Sequence, residues 1–132
     1  MTSGERDLTR LLKDLRPHHN PGRYVFVTVA GPVPDDVRPV VTVCETEGCT
    51  LVIPQTEADA GGLDYHYVAA WITLRVHSAL DAVGLTAAVA TALAAAGISC
   101  NMVAGFHHDH LFVPHGRVSE TMALLVGMTD GG

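Results

Sequence analysis

At 132 residues, 48% hydrophobic and only 17% charged, the chain has the balance of a folded protein: one compact domain, or two small halves sharing a core. Aromatic residues supply only 5%, so Val, Leu, Ile and Ala must build the interior, and the mean hydropathy of +0.25 leaves apolar surface of the kind that joins a homodimer. A net charge of -6 with no Lys/Arg cluster argues against a nucleic-acid partner, and no stretch reaches the ~20 apolar residues of a membrane span.

The N-terminal MTSGERDLTR is polar, without the apolar run of a signal peptide, so a cytoplasmic protein is expected. Leu8, Leu11, Leu12 and Leu15 recur at helical spacing and predict an amphipathic helix from about Asp7. Pro17 and the loop His18-His19-Asn20-Pro21-Gly22 are expected to end it. Arg23–Val29 reads as a strand, Gly31 to Asp35 as a loop, and Pro39–Glu45 with Thr50–Ile53 as a hairpin around Thr46-Glu47-Gly48. That hairpin can bring Cys44 and Cys49 close, as a redox or metal pair or as two ordinary thiols; without CxxC or zinc spacing, ordinary thiols are the simpler reading. Pro54–Leu63 has room for a short helix.

Tyr65–Val76 is the longest strand signal, with Val68, Ala70, Ile72, Leu74 and Val76 on one face and Trp71, Thr73 and Arg75 on the other. Ser78 then reads as a helix N-cap, with Asp81 three residues on in the manner of a capping box. Leu85–Ala96 is a helix of strong formers stopped by Gly97. Ile98–Val103 and Asp109–Val113 form a second hairpin around Gly105. Val118, Met122, Leu125 and Val126 mark the inner stripe of a last helix ending at Gly127, before a frayed tail at 129–132.

From Tyr65 onward the order is strand–helix–strand–strand–helix, a ferredoxin-like unit lacking only its final strand. The first half is likewise helix, strand, hairpin and short helix. An α+β fold is therefore expected, with two ferredoxin-like halves, residues 1–64 and 65–132, of mainly antiparallel sheet that share or exchange strands.

Several separated motifs occur in a definite order. They are Ile72-Thr73-Leu74-x-Val76-His77-Ser78, Gly84-Leu85-Thr86-Ala87, Gly97-Ile98-Ser99 with Asn101, and Gly105-x-x-His108-Asp109-His110-x-Phe112-Val113-Pro114. With Tyr24-Val25-Phe26 and Glu45-x-Glu47-Gly48-x-Thr50-Leu51, they make the chain resemble, from Leu8 to Met128, the ACT-domain family of small bacterial proteins with tandem ACT-like halves. The resemblance implies a ferredoxin-like fold whose units pair into larger sheets. It also implies an amino acid or other small metabolite bound near the first strand–helix loop, here His77 to Thr86.

The residues themselves can be read for that chemistry. Unpaired main-chain N–H groups around Val83, Gly84 and Leu85 can donate to a carboxylate, helped by the helix dipole, with Gly84 permitting close approach. Asp81 is placed to hold an ammonium, and Ser78 and Thr86 close the loop; alternatively Ser78 and Asp81 only cap the helix. Asn101, with Phe106, His107, His108 and Asp109, is expected to form the opposite wall, although Asn101 can equally be a buried amide tying strands together.

The run His107-His108-Asp109-His110 raises a metal site, with His77 or His115 as third ligand, but structural histidines explain it with fewer assumptions. No metal or cofactor is therefore expected. Ser78 beside His77 and Asp81 lacks a nucleophile elbow, and no glycine-rich phosphate loop is present, so an enzyme is not expected. The reading is an amino-acid-binding sensor or regulatory module. The alternatives are a ligand-free dimerisation module and a small metal-dependent hydrolase using the histidines.

Overall fold

A computed structural model describes residues 4–131. Four helices and six strands follow in the order α1 (Leu8–Lys13), β1 (Pro17–Val29), β2 (Val41–Glu45), β3 (Gly48–Pro54), α2 (Gln55–Gly61), β4 (Val68–Leu74), α3 (Leu85–Ala95), β5 (Asn101–Ala104), β6 (Asp109–Pro114) and α4 (Val118–Gly131), the last entered through a 3-10 turn at His115–Arg117. The chain divides into two compact units. One holds the residues up to Asn20 together with Trp71 onward, and the other holds Pro21–Ala70. By compactness, residues 4–20 group with the C-terminal residues from Trp71 onward.

In the Pro21–Ala70 unit the strand order is β2-β3-β1-β4. β1 runs antiparallel to β3 from Tyr24↔Pro54 to Val29↔Cys49, and β2 runs antiparallel to β3 from Val41↔Val52 to Glu45↔Gly48. Alternation along β1 and β3 turns Val25, Val27, Leu51 and Ile53 inward, where they pack with Val37 and with Ala58 of α2. α2 ends where Gly62 adopts a left-handed conformation and donates its N–H to Asp59 O.

In the other unit the order is β1-β4-β6-β5, with β5 antiparallel to β6 from Asn101↔Phe112 to Ala104↔Asp109. The final strand that the run β4-α3-β5-β6-α4 lacks is supplied here by Pro17–Asn20, so a segment preceding the unit's first strand completes it. Ile72, Leu74 and Val76 of β4 and its extension, with Leu111 and Val113 of β6, are buried, as are Leu11 and Leu15, Leu85, Val89 and Leu93 of α3, and Leu125 of α4. Small side chains (Ala87, Ala88, Ala90, Ala92) give α3 little bulk, and α1, α3 and α4 all touch one another.

Several local expectations change. His18-His19-Asn20-Pro21-Gly22 is strand rather than loop: Pro21, like Pro17 at the start of β1, fits extended backbone, and Pro21 and Gly22 fall where β1 passes from one unit to the other. Ser78 is not the N-cap of α3. Gly84 is, six residues later, with φ +105° and no side-chain cap. α4 runs through Gly127 to Gly131, so residues 129–131 of the expected tail are helical, and Gly132 lies outside the described residues. Its buried stripe is Thr121 and Leu125, with Val126 48% exposed. Asn101 is exposed, because β5 is the edge strand and begins there.

Candidate functional site

The segment between β4 and α3 is held from outside its own sequence neighbourhood. Glu5 lies beside Ser78 in a parallel bridge, its N–H donating to His77 O (2.9 Å) and its carbonyl accepting from Ala79 N–H (2.9 Å). Arg6 Nε meets Asp81 Oδ1 at 3.0 Å on the surface. Asp81 therefore faces an arginine, which satisfies the carboxylate that the sequence offered to an ammonium. Nothing in the spacing of residues 77–86 points to this clamp, because its other half lies more than seventy positions away.

α3 begins abruptly. Ala88 N–H donates to Gly84 O at 2.8 Å as the first helical bond, so the N–H groups of the first turn have no intrahelical acceptor, and no side chain caps them. Gly84 also packs tightly: a Cβ there would sit 3.1 Å from Leu8 Cδ2. Beside this helix start lies a recess of about 100 Å³. Ser78, Gly84, Leu85, Thr86 and Asp109 all line it.

Asp109 is the unusual member. It opens β6, pairs with Ala104 across the hairpin, and is only 8% exposed. Its Oδ2 accepts from Ser78 Oγ at 3.2 Å, and among the described residues no cation pairs with it. A carboxylate this buried ordinarily has a cation or several donors. The recess thus sets a positive helix end against a buried negative group, the charge pattern of a zwitterion reversed.

The other residues singled out from sequence are distributed differently. Leu80, Asp81 and Phe106 border a neighbouring recess of about 320 Å³ together with Arg6, His77 and Ser78. His107 is exposed, its ring tilted against His77 (ring centroids 5.9 Å) and edge-on to Phe106 (5.1 Å). Val83 is 84% exposed. Asn101 and His108 line neither recess.

The histidine run is split by the pleat. His110 Nδ1 lies 3.1 Å from both Trp71 Nε1 and Thr73 Oγ1. The indole only donates, so Nδ1 is the acceptor and the ring is neutral with its proton on Nε2. Burial first, then neighbouring His108, pushes the His110 pKa down, against an upward pull from Asp109. Among the described residues no group of three or more His, Cys, Asp or Glu side chains is arranged to hold a metal ion. Cys44 and Cys49 do meet across the β2–β3 hairpin, Sγ to Sγ 3.8 Å, as cross-strand partners.

Comparison with known proteins places these units. A family profile described as ACT domain matches residues 3–70, and a second ACT-domain profile matches 67–126. No protein of curated function matches the chain. A protein of unknown function from Vibrio cholerae, described as a possible transport protein, is similar at 42% identity over 92% of this chain and 95% of its own, with a TM-score of 0.84. An Agrobacterium tumefaciens protein (19% identity, 82% and 84% coverage, TM-score 0.62) shares the fold, as does the regulatory subunit of aspartate kinase from Thermus thermophilus (6%, 85% and 95%, 0.58).

Proposed function

The chain belongs to the ACT-domain family, and from that premise we propose that it is a non-catalytic sensor or regulatory module of the cytoplasm that binds an amino acid at the start of α3. The observation that carries this reading is the recess lined both by Leu85 and Thr86, at a helix start with no side-chain cap, and by the buried carboxylate of Asp109, which among the described residues pairs with no cation. The ligand carboxylate takes the helix start, and its ammonium takes Asp109 in place of the role first given to Asp81. At about 100 Å³ the recess encloses little beyond the α-amino-acid head, so the side chain points outward or is short. The regulatory part of the reading is supported by likeness in fold to an aspartate kinase regulatory subunit.

A thermal-shift panel of amino acids tests it. A ligand at one hundred times its dissociation constant adds about 2.7 kcal/mol of stability. At least one amino acid is expected to raise the melting temperature, and Asp109→Asn is expected to abolish that rise while leaving the fold intact. A flat panel refutes the reading.

A specific feature favours one other reading. Leu80 (67% exposed), Val83 (84%) and Phe106 (53%) are exposed apolar side chains of the loops around this site. In that reading the chain is a homodimer whose copies meet over these three residues, with no ligand. A flat panel, together with sedimentation that changes from dimer to monomer in Leu80→Ser/Val83→Ser, selects it.

A further inference from the structure

On the strand face carrying His18, Asn20, Thr73 and Arg75, the unit formed by residues up to Asn20 and from Trp71 onward carries a further cavity, of about 390 Å³, whose lining shares no residue with the start of α3. Arg16, His18, Asn20, Thr73, Arg75 and His108 line it. All six side chains are polar, four can carry positive charge, and among the described residues no carboxylate lines it. The chain has eight Lys and Arg in all and a net charge of -6, so two arginines and two histidines around one hollow run against its overall charge.

The backbone fixes the arginines. Arg75 N–H donates to Arg16 O at 3.3 Å, which ties the turn after α1 to the end of β4. Arg16 reaches this place with φ +46°, a left-handed conformation uncommon for a residue with a side chain. The floor is ordered too: Asn20 Nδ2 donates to Thr73 Oγ1 at 2.9 Å, and Thr73 Oγ1 bonds the neutral His110 at 3.1 Å. At the wall, His108 Nδ1 is buried with no hydrogen-bond partner among the described residues. The guanidinium of Arg75 has no ion-pair partner among the described residues. Arg16 Nε meets Asp14 at 3.2 Å, in a pair whose side chains are 62% and 63% exposed and which exchanges readily, and its Nη2 donates to Arg75 O at 3.5 Å.

We propose that this cavity binds a phosphoryl group, either as free phosphate or as the monoester of a small metabolite. One guanidinium fork satisfies the two oxygens of a carboxylate. Two forks with the imidazole groups of His18 and His108 match the three or four oxygens and double charge of a tetrahedral oxyanion, above a floor whose amide and hydroxyl protons are engaged by Trp71 O, Thr73 and His110. Every lining residue carries a polar head group, and a hollow of this size holds more than phosphate alone.

The chain provides its own reporter. Trp71 is the sole tryptophan, and its Nε1–H bonds His110, which in turn bonds the floor residue Thr73. Tryptophan fluorescence and calorimetry are to be followed on the full chain while inorganic phosphate, or glycerol phosphate as a monoester, is added at constant ionic strength. Saturable binding is expected, weakened at least about tenfold in Arg75→Gln and in Arg16→Gln, since each removes a charge-assisted contact. Arg38→Gln, an exposed arginine elsewhere, is expected to leave it unchanged. Tighter binding of the monoester identifies a phosphorylated metabolite as the source, and equal binding identifies free phosphate. No saturable binding of either probe, or equal weakening by Arg38→Gln and Arg75→Gln, overturns the proposal. The fold of each variant is checked by its melting curve, and Arg16→Gln and Arg75→Gln stand as independent tests.

Discussion

Ser78→Ala removes the one described donor to the Asp109 carboxylate while leaving the backbone bridge to Glu5 in place. A hydrogen bond to a charged group contributes about 1.5–3 kcal/mol. Here the oxygens are 3.2 Å apart, longer than the ideal for a charge-assisted O–H···O bond, which puts the contact at the weak end of that range. The adjoining recess, lined by both side chains, admits water that replaces part of the lost bond. The expected loss is therefore about 1 kcal/mol, or roughly 3–5 °C in melting temperature for a chain of this size. The assay is urea unfolding of the wild type, Ser78→Ala, Asp109→Asn and the double variant. Asparagine keeps an acceptor but removes the charge, so Ser78→Ala in that background is expected to cost only about 0.5 kcal/mol. An identical cost in both backgrounds, or none in the wild type, refutes the claim that Asp109 is a buried anion leaning on Ser78.

Three further outcomes follow from single sites. Gly84→Ala forces a side chain into a left-handed conformation and against Leu8 Cδ2; strain of about 1–2 kcal/mol, less up to ~1 kcal/mol from a stiffer unfolded chain, leaves a net loss of about 1 kcal/mol measurable by urea midpoint. His110 has its pKa lowered in the folded state, so the unfolded chain binds more protons just below the ordinary value of about 6.5, and stability falls as pH drops through that window. His110→Asn, which can keep an acceptor for Trp71, is expected to flatten that part of the melting-temperature profile, and an unchanged slope contradicts the assignment. Mild diamide oxidation is expected to join Cys44 to Cys49 before it consumes Cys100: burial pushes up the pKa of both Cys49 and Cys100, so the 3.8 Å between Cys44 and Cys49 sets the order, and peptide mapping that finds Cys100 oxidised first counts against it.

Local pattern carried much of the fold. The leucine spacing of α1, the alanine-rich run of α3, the alternation on β4 and both hairpins were readable because each is a property of adjacent residues and of the period of the backbone. The chain's own motifs carried the likeness to ACT domains. Tertiary structure decided what depends on distant partners. Residues 17–22 look like a helix stop and loop, with two prolines and a glycine in sequence, yet extend as strand because Asn20 meets Thr73 and Trp71, more than fifty positions on. Ser78 looks like a cap, but Glu5 and Asp109 claim it, and Gly84 starts the helix instead. Asp81 looks free until Arg6 arrives from the other end of the chain. Arg16 and Arg75 carry no sequence signal at all, since their charges converge only when α1 and β4 are brought side by side. Sequence fixes which groups can cap, pair or bury; only the folded chain settles which of the competing partners is within about 3 Å.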